Sequence, residues 1–282
     1  MKKIIKYLFL LTGGSFILAS CNDFLDREPL DSVTPDNFFF TENDLAAYAV
    51  KHYNFTTHEG FNAGIWKNDN ATDNQAATDY DKKWIPGQWK VPEAYDNPAS
   101  NDPWYFSTIR EANYFLETVV PRFEKGEIEG SETNIKHYIG EMYFLRAKNY
   151  LSKLETFGDF PIIKNTLPDE SESLIQASKR APRYKVAHFI LEDLDQAISL
   201  LTNNISGGKN RITKNAALLL KSRAALFEAS WLTYHKGTAL VPGGPGWPGK
   251  AEDIADFNID TEIAFFLKEA KAAAKEVIGN AA

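Results

Sequence analysis

Four of the six tryptophans, Trp66, Trp84, Trp89 and Trp104, fall within 39 residues, interleaved with Asp69, Asn70, Asp73, Asn74, Lys82, Lys83 and Gln88. Flat indole faces can lie against the C–H surface of a sugar ring while amide, carboxylate and ammonium groups bond its hydroxyls. The pattern nominates Trp66, Asn70, Asp73, Asn74, Trp84 and Trp89 as ligand-binding residues. The plainer alternative is that large aromatics, which are mostly buried, pin loops to helices, and it applies best to Trp66 and Trp104.

Other chemistries fit less well. Cys21 is the only cysteine, so no intramolecular disulfide can form. His52, His58, His137, His188 and His235 show no metal-ligand spacing, so neither a metal nor another cofactor is expected. Glu192, Asp193 and Asp195 read as one solvated helix face rather than as paired catalytic acids. Gly244 to Ala251 imitates a phosphate loop, but lacks the closing Ser or Thr and has prolines where amide donors are needed. The chain is not expected to be an enzyme.

Residues 1–20 read as a secretory signal, with Lys2, Lys3 and Lys6 ahead of an apolar run from Tyr7 to Leu18. The run closes on Leu18-Ala19-Ser20-Cys21, which resembles the lipobox of bacterial lipoproteins and makes Cys21 the expected lipidation site. Asp23 and Asp26 resemble the acidic start of surface-exposed lipoproteins of the Bacteroidetes. Formal charge is −7, and becomes −10 without the leader, at 28 basic against 38 acidic groups. Such a protein suits a neutral ligand or a protein partner and is a poor match for nucleic acid.

These residues need a scaffold, and the rest of the chain reads as helical. Residues 21–40 form an expected tether, with Thr34-Pro35 marking a helix start. Helices are expected over Glu42–Phe55, Trp104–Val120 and, capped by Ser131, through Asn134 toward Gly158. Further helices are expected over Pro182–Leu201, Lys214–Thr233 and Thr261–Ile278. Within the third, Ile135, Tyr138, Ile139, Met142, Leu145, Tyr150, Leu151 and Leu154 make a broad apolar stripe that requires neighbours. Residues 56–102 have no period and form a long loop-rich ligand region, and 164–179 reads as a polar connector. The fourth and fifth helices pair with a period near the tetratricopeptide repeat, about 34 residues. The expected fold is all-α: a TPR-like α-solenoid of helix pairs with a long loop-rich insertion and little or no sheet.

Several motifs in order resemble a known family. They are Cys21-Asn22-Asp23-Phe24-Leu25-Asp26, Thr34-Pro35-Asp36-Asn37-Phe38-Phe39, Phe144-Leu145-Arg146-Ala147, Phe157-Gly158-Asp159-Phe160-Pro161, Pro182-Arg183-Tyr184, Leu191-Glu192-Asp193-Leu194 and Arg211-Ile212-Thr213-Lys214. Together they resemble the N-terminal part of a SusD/RagB-type lipoprotein. That resemblance implies a lipid-anchored outer-membrane protein facing the cell exterior, which binds glycans and hands them to a TonB-dependent, SusC-like transporter. It also implies loops between early helices as the glycan site. Ala71-Thr72-Asp73-Asn74 resembles the family's Ala-Ser-Asp-Glu segment, so Asp73 is its foremost polar candidate. Family members continue through a second, loop-rich half, so residues 41–282 are expected to be the helical domain of a longer pattern. The alternative is a structural lipoprotein acting as a transporter lid or as a docking surface for peptide or protein ligands.

Overall fold

Where apolar residues recur every three or four positions, the chain is helical. The computed structural model describes residues 38–53, 104–205 and 210–281. Cys21 and the nominated ligand residues Trp66, Asn70, Asp73, Asn74, Trp84 and Trp89 lie outside them, as do Thr34 and Pro35. Seven helices stand among the described residues: α1 (Glu42–Lys51), α2 (Ser107–Lys125), α3 (Glu132–Phe157), α4 (Ser171–Ala177), α5 (Arg183–Leu200), α6 (Lys214–Tyr234) and α7 (Ile259–Ala281). No sheet forms among those residues, only isolated bridges at Thr41–Glu129 and Phe160–Ala181. The all-α expectation holds.

Packing runs along one dimension. α2 lies on α3, α3 on α5, α5 on α6 and α6 on α7, while α1 also rests on α3. That neighbour-by-neighbour order is the solenoid logic, in which each helix buries its stripe against the next pair. α3 is the centre because it meets the most partners. All eight residues of its expected stripe are buried, and so are Gly140, Glu141, Phe144, Arg146 and Ala147 on other sides. One apolar face would have sufficed against one neighbour; burial on most sides needs several. Small residues on α6, Ala217, Ala224, Ala225 and Ala229, are buried and let its neighbours approach closely.

Several boundaries differ from expectation, each for a local reason. The packed unit begins at Phe39, inside the expected tether, because its ring is fully buried edge-on against Tyr48 and Phe115 at 5.1 and 5.3 Å. α1 is capped by Thr41, whose hydroxyl accepts from Asp44 N while the Asp44 carboxylate accepts from Thr41 N. It stops at Lys51, which frees Tyr53 to donate to Glu141 Oε1 at 2.6 Å and to accept from Ile212 N at 3.0 Å. α2 starts three residues late and runs on through Pro121 to Lys125, with Arg122 over the Phe40 ring at 4.2 Å. The connector after Pro161 holds the short α4, and Leu267 of α7 is exposed, while α7 packs chiefly on α6 and meets α5 where His188 bonds Glu262 at 2.7 Å.

The residue that caps the end of α1 is titratable. Burial holds the His52 imidazole below its usual pKa, opposed by Glu111, whose carboxylate lies 3.4 Å away, and reinforced by Lys51. Unfolded, the ring protonates near pH 6.5. Its contribution is therefore complete above that pH and is lost as pH falls toward the folded value. The melting temperature is expected to drop between about pH 7.5 and about pH 5.5, and His52→Phe to flatten that drop, as followed by circular dichroism.

Candidate functional site

Trp104-Tyr105-Phe106 precede α2 rather than opening it, and their position follows from the turn at the far end of α3. There Gly158 takes φ 72°, and Phe160 is fully buried and bridges backbone to backbone with Ala181 at 3.0 and 3.1 Å. The Phe160 ring receives Trp104 edge-on at 5.0 Å and stacks with Phe106 at 5.0 Å and Phe157 at 5.6 Å. A helical start at Trp104 would have carried its ring away from this cluster. Trp104 is thus half-buried, and the loop-pinning role is met.

Over this aromatic floor opens a cavity of about 530 Å³. Phe106, Ile109 and Arg110 form one wall, and Ile163, Asn165 and Leu167 of the connector form the other. Irregular backbone does not hold a wall by itself; here buried side chains hold it. Asn113 Nδ2 donates to the carbonyls of Ile163 and Asn165 at 2.9 and 3.2 Å. Arg146 Nη1 donates to Asn113 Oδ1 at 2.9 Å and to Lys164 O at 3.3 Å. Tyr150 Oη bonds both Ile163 N and Ile163 O. From outside, the Glu117 carboxylate accepts from Thr166 N and Oγ1.

The keystone is Arg146, paired bidentately with Asp193 at 2.7 and 2.8 Å, both buried. The reading of Asp193 as part of a solvated acidic face is corrected here. Glu192 and Asp195 are exposed, but Asp193 points inward to the guanidinium. Burial pushes the Asp193 carboxyl above its usual range, with Arg146 opposing. An ion pair so enclosed recovers its desolvation only through good geometry and further hydrogen bonds, both present here. Asn113 is therefore spent on structure, while Arg110, Asn165 and Asp169 at the rim are exposed. The arrangement offers aromatic faces below and hydroxyl-bonding groups of both kinds above.

None of the nominated residues can be placed against this cavity, since all lie outside the described residues; Trp104 directly follows their stretch in sequence. Phe106, Arg110, Asn165 and Asp169 were not nominated. The aromatic triple at 104–106 and the Asn/Pro/Asp character of 165–169 were the available signals.

Comparison with known proteins follows the same lines. Residues 23–226 match a SusD-like family described as "Starch-binding associating with outer membrane". Two SusD-like proteins of Formosa agariphila are 26% identical over 258 residues and 27% identical over 203 residues. Those matches take 89% and 70% of this chain but 45% and 37% of the relatives, so the chain spans about half or less of their length. Among solved structures, a SusD-like protein of Bacteroides fragilis is similar with a TM-score of 0.53 and 26% identity, over 73% of this chain and 38% of that one. A SusD-like carbohydrate binding protein of the same species has a TM-score of 0.50 and 19% identity, over 71% and 40%, a likeness of fold.

The keystone pair makes an asymmetric prediction. Asp193→Leu strands a guanidinium that cannot lose its proton and is expected to cost about 3–5 kcal/mol in urea unfolding. Arg146→Met leaves a carboxyl that can take up a proton, so its deficit shrinks as pH falls through the carboxylate range.

Proposed function

Because the chain belongs to the SusD-like family, we propose that it is a non-catalytic, cell-surface glycan-binding protein. The observation that carries this reading is the family match over residues 23–226, whose description couples starch binding with the outer membrane. The aromatic-floored cavity beside Trp104 supports it, as does the tryptophan-rich stretch that ends there. In this reading Trp84 and Trp89 stack on sugar rings, with Trp66 beside them, and Asn70, Asp73 and Asn74 bond hydroxyls. A wall held rigidly by Asn113, Arg146 and Tyr150 keeps the ordering cost of binding low.

Residues 1–20 are the leader and Cys21 carries the acyl chains, which together hold the protein to the outer membrane facing outward; one chain alone would bind only marginally. Residues 56–102 supply the ligand loops of the helical domain. A bound glycan passes to a TonB-dependent transporter, against which the solenoid docks.

Calorimetry of the full chain against a glycan panel tests the binding. An oligosaccharide is expected to bind, and Trp84→Ala/Trp89→Ala to weaken it by about 1–3 kcal/mol for the two lost stacking faces. No binding to any member, together with capture of a transporter, would instead favour a docking or lid protein. Cys21→Ser is expected to move the protein from the membrane fraction to the soluble fraction, read by immunoblot after fractionation.

A further inference from the structure

A second cleft, of about 290 Å³, lies between the end of α3 and the loop over 237–250. Its construction centres on Trp247. The Trp247 indole Nε1 donates to Asp159 Oδ2 at 2.8 Å, and Asp159 Oδ1 accepts from Arg183 N at 2.8 Å. A Cβ on Gly249 would stand 2.1 Å from the Trp247 ring, so the ring lies against bare backbone on that side. At Gly244 a Cβ would stand 1.8 Å from Thr238 O, so the loop cannot close its turn with any side chain there. Glycine and a half-buried aspartate anchor thus act together to fix one half-exposed indole at the cleft.

The other groups there divide clearly. Trp231 is a wall, its Nε1 bonded to Leu240 O at 3.0 Å and its ring covered by the Arg183 guanidinium at 4.2 Å. Arg183 is itself committed to buried Glu228 through a bidentate pair. Arg180 and Glu155 remain: both line the cleft, both are exposed, and neither forms an ion pair among the described residues. They supply one cationic donor and one anionic acceptor, whose charges cancel.

We propose that this cleft is a second carbohydrate subsite, taking one neutral sugar ring. Trp247 is its stacking face, Arg180 donates to ring hydroxyls and Glu155 accepts from them. At about 290 Å³ the space falls just below the usual range for pockets that take drug-sized ligands, which fits one ring rather than a chain. The balance of charge disfavours a uronate, whose carboxylate would meet Glu155 as well as Arg180. Arg180 also lies over the Trp104 ring at 5.6 Å, so the residue that edges this cleft touches the floor of the first cavity. The proposal rests on the glycan-binding reading above.

The test is calorimetry of the full chain with maltoheptaose, cellohexaose, laminarihexaose and tetragalacturonate. A neutral oligosaccharide is expected to bind, and Arg180→Ala to weaken it about tenfold, the loss of one charge-assisted hydrogen bond. Glu155→Gln is expected to weaken it less, and Trp247→Ala, which removes the stacking face, to weaken it by about three- to tenfold. Arg180 and Glu155 are surface groups, so an unchanged melting temperature separates lost contact from lost fold. Binding of a neutral oligosaccharide that ignores both Arg180→Ala and Glu155→Gln overturns the subsite while leaving the glycan-binding reading intact. Binding of tetragalacturonate alone overturns the neutral-sugar assignment. No binding to any of the four, with no binding across the wider panel, removes both.

Discussion

A buried guanidinium has five donors and cannot shed its charge, so everything around it must be arranged to satisfy it. Arg146 imposes that constraint at the middle of α3. Its partners come from α2 (Asn113), α5 (Asp193) and the connector (Lys164 O), which ties three separate segments to one side chain. The same device recurs twice. Arg183 at the start of α5 grips Glu228 of α6 within a buried interface. Arg211, just before α6, grips Glu141 of α3, with Tyr53 donating to the same carboxylate. Three arginines thus join α3, α5 and α6 into one cross-braced set.

That bracing explains the motifs. Phe144-Leu145-Arg146-Ala147, Pro182-Arg183-Tyr184 and Arg211-Ile212-Thr213 each contain one of the three arginines, and Leu191-Glu192-Asp193-Leu194 contains a partner. Asp159 of the Gly-Asp-Phe-Pro turn holds the amide of Arg183. The residues that carry the family resemblance within the described chain are therefore scaffold residues. They keep the helices in order and leave recognition to side chains on loops, where contacts can vary without disturbing the braces.

Both clefts sit where this scaffold hands over to irregular chain. The connector from Gly158 to Pro182 forms a wall of the first and, through Asp159 and Arg180, part of the second. Such a segment would be costly to order on binding if it were loose. Here its carbonyls and amides are already bonded by Asn113, Tyr150 and Glu117, so a ligand bound there would meet a surface set before it arrives.

Helix identity was legible in the sequence because three- and four-residue apolar spacing is a local property, and the eight-residue stripe of α3 is buried as that spacing requires. Local chemistry also marks the start of α6, where the Thr213 hydroxyl accepts from Ala216 N. What sequence left open were matters of partner. Asp193 looks like any surface acid until α3 brings Arg146 beneath it. Trp104 looks like a helical start until Phe160 claims its ring. Composition and apolar spacing determined the helical class. Tertiary structure decided which polar groups are braces and which are free to meet a ligand, because burial and pairing depend on residues dozens of positions away.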